Sequence, residues 1–411
     1  MRILYVHQFF ATRESDLGLI RSYEFSRRML AEGHQVVMVT SSSRLPAEWS
    51  RKRFTPGEID GIEVRAVRVS YSNYMGYLRR IWSFLEFMFG ATYLAATAGP
   101  VDVVFATSTP LTVGIPGWAA ATLKRVPFVF EVRDLWPEAA IQMGALKREG
   151  VLGRVAKGLE RFLYHRSAQV VALSPGMVDG VVAEGVPAER VHMIPNCCDL
   201  DLFVPGDKDA EIVERLGLGD KFVVGYAGAV GPSNAVHKSV PQAAKLLKER
   251  GRDDIVFAIV GDGKCLPEMR RLKDEWQLDN LVLAGSMPKG EIPRFTRSAD
   301  LLMTLFEDKP ILYTNSPNKF FDGLATGKPM LVNSPGWTKD LVEHNECGVY
   351  VPPNDAEAMA SAVIRLADDP ALLERMGRNA RALAEAQFDR DEQARRVLDV
   401  LQTAVGQARG R

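Results

Sequence analysis

The sequence predicts an α/β protein with two doubly wound parallel sheets. In both halves of the chain, short apolar or β-branched runs alternate with helical patterns, as the strands and covering helices of such sheets do. Residues 195–205 interrupt this alternation, because they are bounded by prolines and have no hydrophobic period. We interpret them as the crossing between two domains. The length of 411 residues also exceeds what one core usually supports.

The alternation in the first half starts with the first residues. Residues 3–7 read as a strand, 19–31 as a helix and 35–40 as a β-branched strand, which together form one βαβ unit. Gly18 precedes the helix, where a glycine lets a ligand approach the backbone; the alternative is an ordinary turn. Further strands are predicted at 62–69, 101–106, 127–132, 168–173 and 190–194, and helices at 111–124, 150–166 and 174–183.

The second half repeats the pattern, and three of its strands run into glycine turns. Gly228, Gly261 and Gly285 follow the first three strands. Ligands of parallel sheets bind beyond the carboxyl ends of the strands, and glycine lets the backbone approach a ligand. The three turns together therefore predict a nucleotide site. The predicted strands are 222–226, 255–260, 281–284, 300–305 and 329–333, and the chain is almost wholly helical from Asp355.

A polar turn and a short helix in residues 316–330 offer a grip for a phosphate. Lys319 and Asp322 are three residues apart and so share one face of the helix. Near a helix start, an ammonium, a carboxylate and free backbone N–H groups can meet a phosphate and a sugar hydroxyl together. The alternative is a solvated helix cap with a surface lysine. The glycine turns in the same half favour a nucleotide-sugar site.

One segment, residues 71–98, departs from the alternation. It is rich in Tyr, Trp and Phe, with two arginines near its start, and is long enough to cross a bilayer. Glu86 argues against a span, as does the need for the flanking strands to share one sheet. Two interpretations remain, a buried domain helix and a helix that lies on a membrane interface. In the second, the membrane-facing residues are Arg79, Arg80, Trp82, Phe84 and Phe87.

The composition excludes several classes of protein. The 51 basic and 51 acidic residues balance, which gives no support for a general nucleic-acid-binding protein. The four cysteines, with Cys197 and Cys198 adjacent, fit neither a disulfide framework nor a zinc site. No secretory signal is recognised, so a reducing cytoplasmic compartment is expected. No metal is expected either, because no His/Asp cluster with the spacing of metal ligands is present. Asp199-Leu200-Asp201, a short metal-site pattern, is discounted because it falls in the crossing segment.

Six motifs spread over nearly the whole chain carry a family resemblance. They are Arg21-Ser22-Tyr23-Glu24, Arg133-Asp134-Leu135-Trp136-Pro137-Glu138, Ile194-Pro195-Asn196, 228–234, Gly261-Asp262-Gly263 and 316–329. Together they resemble the retaining family-4 glycosyltransferases of the GT-B architecture. The closest branch transfers aminodeoxyhexoses of the FucNAc type in the synthesis of O-antigen and capsular polysaccharide.

The resemblance implies two Rossmann-like domains that face each other across a cleft. Residues 1–197 would bind the acceptor, and 198–388 would bind the nucleotide-sugar donor. A helix in 389–411 would cross back to the first domain. Residues 71–98 are similar to a segment with which this branch is thought to meet the membrane.

The donor site implied by the resemblance centres on Lys319 and Asp322. Lys319 would neutralise the donor diphosphate as the nucleotide leaves, a step at which preorganised charge contributes strongly. Asp322 would hold the ribose hydroxyls, and the backbone near Gly285 and Met287 would read the base. The other residues implied to line the donor are Gly18, Gly228, Asn234, Gly261, Asn315, Ser316 and Asn318.

The acceptor is implied to enter beside Arg133, Asp134 and Trp136, with Arg21 on the same side. Asp134 would orient or deprotonate the acceptor hydroxyl. The alternatives are a helix cap or an ion pair with Arg133. No cofactor and no metal are implied, and the sequence shows no obvious carboxylate pair of the kind that glycoside hydrolases use.

The sequence departs from the family pattern at several places. Leu17-Gly18 replaces a Gly-Gly in the first loop, and Cys197-Cys198 stands where Gly-Val is commoner. Thr314 stands where many members carry a glutamate that contacts the sugar, so Asn315 or the turn after it would make that contact; Glu307 is a distant substitute. The basic residue expected after the first turn of the second half is Lys238, His237 or neither.

These observations predict a retaining glycosyltransferase that needs no metal. It would move an N-acetylated aminodeoxyhexose or a hexose from a nucleotide donor, most simply UDP-linked, to a polyprenyl-diphosphate-linked saccharide. The expected place is the cytoplasmic face of a bacterial inner membrane, with peripheral membrane contact. Two alternatives stay open, a GT-B sugar-nucleotide epimerase and a non-catalytic assembly subunit that binds a nucleotide-sugar.

Overall fold

The structure of the chain, a computed structural model, describes residues 1–13, 20–72 and 75–410, and only the backbone of Tyr77. The chain divides into two compact units. The first comprises Met1–Pro195 together with Asp391–Arg411, and the second comprises Asn196–Arg390. Each unit has its own sheet and its own helices.

Strands and helices alternate along the first unit. Its described strands are β1 (Arg2–Val6), β2 (Gln35–Ser41), β3 (Phe54–Ile59), β4 (Ile62–Val67), β5 (Val103–Thr107), β6 (Phe128–Val132), β7 (Gln169–Ala172) and β8 (Val191–Met193). Its described helices before the crossing are α1 (Arg21–Ala31), α2 (Tyr77–Ala96), α3 (Gly114–Lys124), α4 (Glu138–Gln142), α5 (Val151–Arg166) and α6 (Pro175–Ala183).

The first sheet is doubly wound and parallel apart from one edge strand. Its order, among the described residues, is β3-β4-β2-β1-β5-β6-β7-β8. In the centre, Leu4 of β1 lies beside Val37 of β2 and Val104 of β5, and all three side chains are buried. Strand order therefore brings the carboxyl ends of β1, β5 and β6 side by side, the edge where ligands of parallel sheets bind.

The edge strand β3 is a difference from the sequence prediction. It pairs antiparallel with β4, although no strand was predicted there from the sequence. Its central residues, Pro56 and Gly57, are typical of turns. Proline is tolerated in an edge strand because it lacks only an outward-facing donor, and Gly57 leaves room for the Trp49 ring.

The second unit contains a smaller sheet, which is wholly parallel. Its order is β11-β10-β9-β12-β13-β14. The strands are β9 (Phe222–Ala227), β10 (Ile255–Val260), β11 (Leu281–Gly285), β12 (Leu301–Thr304), β13 (Met330–Val332) and β14 (Gly348–Tyr350). The helices are α7 (Ala210–Leu216), α8 (Val236–Glu249), α9 (Leu266–Glu275), α10 (Ile292–Ser298), α11 (Asn318–Ala325), α12 (Trp337–His344), α13 (Ala356–Ala367) and α14 (Pro370–Gln387).

Helix α11 is anchored firmly in the core of the second unit. Phe320 and Phe321 are fully buried, and the Phe321 ring lies 4.7 Å from the Phe388 ring, centroid to centroid. Gly323 faces Met330, whose sulfur would lie 2.4 Å from an added Cβ. The two buried rings leave Lys319 and Asp322, on either side of them in the sequence, on the partly exposed part of the helix. Packing therefore fixes the direction of both charged side chains.

The last helix, α15 (Arg390–Arg409), follows the second unit in the chain but from Asp391 belongs to the first. Arg396 donates a hydrogen bond of 2.7 Å to the Met193 carbonyl, and Gln169 donates one of 2.9 Å to Gln407. These bonds attach the helix to β7 and β8.

Helix α2 is partly core and partly surface. Phe87 is fully buried, so the prediction that it faces a membrane is wrong for this residue. The exposed face instead carries Leu78, Trp82, Phe89 and Tyr93, of which Trp82 and Phe89 are each 68% exposed. Within the described ranges, no helix is long and apolar enough to cross a membrane.

Candidate active site

The three glycine turns of the second unit are joined by backbone hydrogen bonds. Gly228 N donates to Val260 O at 2.9 Å, Val230 N to Asp262 O at 2.9 Å, and Gly261 N to Gly285 O at 2.7 Å. A Cβ on Gly261 would lie 1.8 Å from Gly228 O, which only a glycine avoids. The turns therefore form one surface at the carboxyl ends of β9, β10 and β11.

Lys319 reaches this surface from the first turn of α11. Its Nζ lies 2.7 Å from Tyr226 Oη and 3.2 Å from Asn234 Oδ1, and 4.2 Å from the centre of the Tyr226 ring. Gly228 has φ +154°, and a Cβ there would lie 2.8 Å from the ammonium. The absence of a side chain at Gly228 thus gives the ammonium its place beside the turn.

The described partners of the Lys319 ammonium are neutral oxygens. No carboxylate in the described part of the chain lies within ion-pair distance of it. Burial lowers the pKa of Lys319 to about 7. A cation in this condition gains strongly from an arriving anion, because the anion supplies the charge that the protein does not.

Asp322 is the second group of α11 without a matching partner. Burial raises the pKa of its carboxyl to about 7; the charge of Arg390 opposes this rise, and that of Asp199 adds to it. Among the described residues no hydrogen-bond donor contacts the carboxylate. Its oxygens are therefore free to accept bonds from hydroxyl groups of a ligand.

The side chains around the start of α11 differ in whether they form hydrogen bonds within the described chain. Ser316 Oγ accepts from Asn196 N at 3.0 Å, and its carbonyl accepts from Asn196 Nδ2 at 2.6 Å, so this serine fixes the start of the second unit. Thr314 Oγ1 donates to Ile311 O at 2.8 Å. The side chains of Asn315 and Asn318 make no hydrogen bond within the described chain, and both are partly exposed.

Two residues weighed separately in the sequence are bound to each other. Lys238 Nζ lies 2.7 Å from the carboxylate of Glu307, and Glu307 N donates to Ser233 O at 2.9 Å. The pair therefore lies beside the Asn234 turn. His237 is buried, and burial lowers its pKa.

The residues expected to read the base lie at the end of β11. Gly285 has φ +70°, and no atom lies within 4 Å of the place where a Cβ would stand. Met287, two residues on, is partly buried against the core of the unit. The hydrogen bonds of Lys319 within the described chain reach Tyr226 and Asn234 and not this strand end. Gly18 lies outside the described residues.

The acceptor-side candidates follow β6 in the first unit. Arg133 N donates to Ser108 Oγ at 2.9 Å, which ties the end of β6 to the end of β5. Burial raises the pKa of Asp134 to about 6, against the nearby charge of Arg133, and lowers the pKa of Arg133. Trp136 is partly buried, and its backbone N–H donates to the backbone carbonyl of Asp134 at 3.0 Å. No ion pair joins Arg133 and Asp134 in the described chain, contrary to one alternative.

Arg21 lies in the interior rather than on an acceptor-facing surface. It pairs with the buried Glu131 at 3.0 Å and donates to Pro195 O at 2.6 Å and Ile194 O at 3.0 Å. Its guanidinium also lies 4.3 Å from the centre of the Phe25 ring. With its donors engaged inside the first unit, Arg21 holds the fold together and is not an acceptor contact, which corrects the sequence prediction.

Sequence reasoning missed two site residues. Tyr226 supplies the hydroxyl that contacts the Lys319 ammonium. It lies near the end of the buried strand β9, and no sequence motif distinguishes it from a core residue. His7 follows β1 and is buried, with Nδ1 2.7 Å from Ser22 Oγ. Burial and the charge of Arg133 hold the pKa of His7 well below its usual range, so the ring is neutral. The available signal was a histidine closing an apolar run at a carboxyl strand end.

The chemistry of the donor set suits an organic anion better than a metal ion. Lys319, Asn234 and the backbone N–H groups of the turns are hydrogen-bond donors or neutral groups. Over the described ranges, no group of three or more His, Cys, Asp or Glu side chains could hold a metal. Asp199, in the short metal-site pattern, is buried next to Cys198.

Two protein-family models match the chain. The Glycosyl transferase 4-like domain matches residues 20–197, and the Glycosyl transferases group 1 model matches residues 208–383. Together the two matches cover most of the 411 residues.

Several characterised transferases are similar in sequence. Alpha-D-kanosaminyltransferase of Streptomyces kanamyceticus is 31% identical over 245 residues, which are 58% of this chain and 61% of that protein. The UDP-Gal:alpha-D-GlcNAc-diphosphoundecaprenol alpha-1,3-galactosyltransferase of Escherichia coli is 27% identical over 276 residues, 65% of this chain and 67% of that protein. The matched segments thus span about three fifths to two thirds of these relatives.

Solved structures share the fold over almost the full length. HepE of Anabaena in complex with UDP-glucose has a TM-score of 0.72 at 19% identity and covers 98% of this chain and 100% of that one. WaaG, a glycosyltransferase involved in lipopolysaccharide biosynthesis, has a TM-score of 0.69 at 15% identity and covers 98% and 99%. This likeness confirms the predicted fold of two Rossmann-like domains. With a glycosyltransferase model matching each half, the chain belongs to the family-4 glycosyltransferases of the GT-B fold.

Proposed function

We propose that the protein transfers a sugar from a UDP-linked donor to a hydroxyl of a polyprenyl-diphosphate-linked saccharide, with retention at the anomeric carbon. The transferred sugar is an N-acetylated aminodeoxyhexose or a hexose, and the product is an intermediate of a bacterial surface polysaccharide such as O-antigen. The proposal includes no metal ion and no other cofactor.

The observation that carries the proposal is the ammonium of Lys319. It lies against a glycine turn, at the first turn of a helix, and its partners among the described residues are neutral oxygens. A donor diphosphate placed there would meet the ammonium and the positive end of α11 together. Charge grows on this phosphate as the nucleotide leaves, so a fixed cation stabilises the transition state more than the ground state.

The substrates of similar proteins, as their names give them, support the choice of substrates. HepE was crystallised with UDP and with UDP-glucose. The similar Escherichia coli enzyme carries UDP-Gal and a diphosphoundecaprenol-linked saccharide in its name. The Streptomyces relative is named for a kanosaminyl transfer. These names support the proposal of a UDP donor and a lipid-linked acceptor for this chain.

In the proposed step, the bond between the anomeric carbon and the donor phosphate oxygen breaks. The acceptor oxygen bonds to the same face of that carbon, and its proton passes to the departing phosphate oxygen. Lys319 holds the phosphate that accepts the proton, and Asp322 accepts hydrogen bonds from the ribose hydroxyls. Asn315 and Asn318, whose amides are unbonded within the described chain, are the nearest candidates for the sugar contact that Thr314 lacks.

Asp134 is proposed to orient the acceptor hydroxyl. Its carboxyl lies at the carboxyl end of β6 and, with a pKa of about 6, is mostly ionised at neutral pH. An ionised carboxylate accepts a hydrogen bond from the hydroxyl and increases the electron density on its oxygen. Arg133, beside it, offers a cation to the acceptor diphosphate.

The test is transfer measured by product mass with UDP-, GDP- and dTDP-sugars and a lipid-linked saccharide. Lys319→Ala is expected to lower kcat by about 100-fold or more, as loss of a preorganised charge contact does. Lys339→Ala is the matched control, because Lys339 also lies near a helix start and over a ring, 4.6 Å from the centre of Tyr350. Wild-type turnover by Lys319→Ala would refute the phosphate assignment. Conversion of the donor without acceptor would indicate an epimerase, and tight donor binding without turnover an assembly subunit.

Peripheral membrane contact is proposed for the exposed face of α2. Leu78, Trp82, Phe89 and Tyr93 are all more than half exposed, and Arg79 is exposed beside them. Leu123, on the adjoining α3, is 66% exposed and extends the apolar surface. Amphipathic aromatic and basic residues of this kind bind the interface of an anionic bilayer, which corresponds to the cytoplasmic face of the inner membrane.

The membrane contact is tested by flotation with vesicles that contain phosphatidylglycerol. Trp82→Asp with Phe89→Asp is expected to leave most of the protein at the bottom of the gradient. Leu202→Asp, which changes an exposed apolar residue of the second unit, is the matched control. Unchanged flotation of the double variant would show that α2 does not bind the bilayer.

A further inference from the structure

The second unit contains a cavity that the proposed transfer does not use. Its volume is about 540 Å³, within the usual range of small-molecule sites. It is bounded by the loop 327–329 after α11, by residues 205–206 and by one face of α14. All of these residues lie in the second unit and are described throughout.

The cavity lies at the amino ends of the strands. Asp300, on its wall, comes just before β12, and Pro329 just before β13. The glycine turns and Lys319 are at the opposite, carboxyl ends of the sheet. Helix α11 runs between the two places, with Lys319 in its first turn and Thr326 to Lys328 directly after its end. The cavity is thus separate from the donor surface.

Lys328 on the cavity wall forms no ion pair with the described residues. No hydrogen bond reaches its ammonium there either, although the side chain is partly buried. The acids around it are engaged elsewhere. Asp300 accepts from Lys208 at 2.6 Å and from Val223 N at 2.7 Å. The other neighbouring acid, Asp207, is exposed.

Charges of both signs surround Lys328. Burial lowers its pKa most, the charge of Asp300 opposes this, and Lys208 and Arg297, which repel the ammonium, lower the pKa further. An anion entering the cavity would relieve this repulsion and supply the missing partner. Because an ammonium is a compact point charge, it suits the tetrahedral oxygens of a phosphate.

The rest of the wall favours a ligand larger than a bare anion. Pro205, Pro329, Pro370 and Leu373 supply apolar surface, while Arg378 and Glu374 form an exposed pair at α14. Arg381 is fixed by bonds to Phe203 O at 2.9 Å and Ala325 O at 2.7 Å, so this side of the cavity is preformed. We propose that the cavity binds a small phosphate monoester, with its phosphate on Lys328 and its carbon body against the prolines and Leu373.

The test is calorimetric titration of the full chain with glycerol 3-phosphate, with glycerol and inorganic phosphate as comparisons. Lys319→Gln, which removes the other phosphate-binding lysine, is expected to bind as the wild type does. Lys328→Gln should weaken binding by about tenfold or more. Ala382→Phe, which fills the cavity from an exposed position of α14, should abolish it. Lys339→Gln is the control for lysine substitution, and thermal midpoints confirm that each variant folds.

Three results would overturn the proposal. One is the absence of binding by the wild type. Another is wild-type affinity in both Lys328→Gln and Ala382→Phe. The third is loss of binding in Lys319→Gln with full binding in Lys328→Gln, which would place the phosphate at the donor surface. Equal affinity for inorganic phosphate and the ester would remove the role of the carbon body.

Discussion

Each unit contains a basic residue from a family motif, Arg21 in the first and Lys319 in the second, and the two differ in whether an acidic partner neutralises them. In the first unit, Arg21 is saturated by Glu131 and by two backbone carbonyls of the same unit. In the second unit, the partners of Lys319 within the described chain are the neutral oxygens of Tyr226 and Asn234. Both residues belong to motifs that resemble one family, yet one charge is satisfied internally and the other is not. A motif charge marks a ligand site when the protein itself leaves it unmatched.

The largest expected effect is the loss of stability when Arg21 loses its buried partner, Glu131. Glu131→Ala would leave Arg21 buried without its counter-ion and should lower the free energy of unfolding by about 3–5 kcal/mol. The loss is measured by denaturant unfolding, and hydrogen exchange of the backbone amides of β1 and β6 locates it.

Glu392→Ala is the control for that loss, since it removes an exposed ion pair with Arg395 in the same unit. A change below about 1 kcal/mol is expected there. An equally small loss for Glu131→Ala would remove the distinction between the two units.

Removal of the Lys319 charge is expected to raise the free energy of unfolding, whereas Glu131→Ala lowers it. At pH 6 the folded protein holds a buried ammonium at a cost, so Lys319→Met should stabilise it by about 1–2 kcal/mol. The pKa of about 7 lies below the ordinary value of 10.5, so wild-type stability rises with pH between these values. The advantage of the variant therefore shrinks from pH 7 to pH 10. Thermal unfolding of both proteins across this range measures it, and destabilisation at pH 6 would contradict it.

Asp322 should show a smaller effect with the opposite pH dependence. Its pKa of about 7 lies above the ordinary 3.8, so the stability of the wild type falls as pH rises between these values. Asp322→Asn is expected to gain about 1 kcal/mol at pH 8 and nothing at pH 4. Part of the cost is already offset by Arg390. A gain that is equal at both pH values would show that burial of the charge is not its cause.

The sequence predicted the repeated α/β architecture because buried parallel strands and their helices have strong periodic patterns. It missed β3, whose Pro56 and Gly57 read as a turn, and β14, which has only three residues. Orientation was harder to predict than element type. Phe87 and Phe89 are two residues apart on α2, yet one is buried and the other is exposed, because the position of the helix on the sheet decides which face is covered.

The candidate site was predictable in part for the same reason. Glycines after strands and a lysine at a helix start are local signals, so Gly228, Gly261 and Lys319 could be named in advance. The partners of a side chain depend on tertiary contacts. Tyr226 beneath Lys319, the pairing of Lys238 with Glu307 and the internal role of Arg21 therefore became visible only in the structure.

The unmatched charge of Lys319 is tested most directly by proton uptake on nucleotide binding. At pH 8, in the protein without nucleotide, Lys319 is largely neutral and Asp322 is already ionised. Binding of the UDP diphosphate should therefore be accompanied by uptake of close to one proton at Lys319. Calorimetry in two buffers of different ionisation enthalpy measures this number. Lys319→Arg, which is always charged, should bind UDP without uptake. Binding by the wild type with no proton uptake, or equal uptake by Lys319→Arg, would contradict the assignment of Lys319 to the donor phosphate.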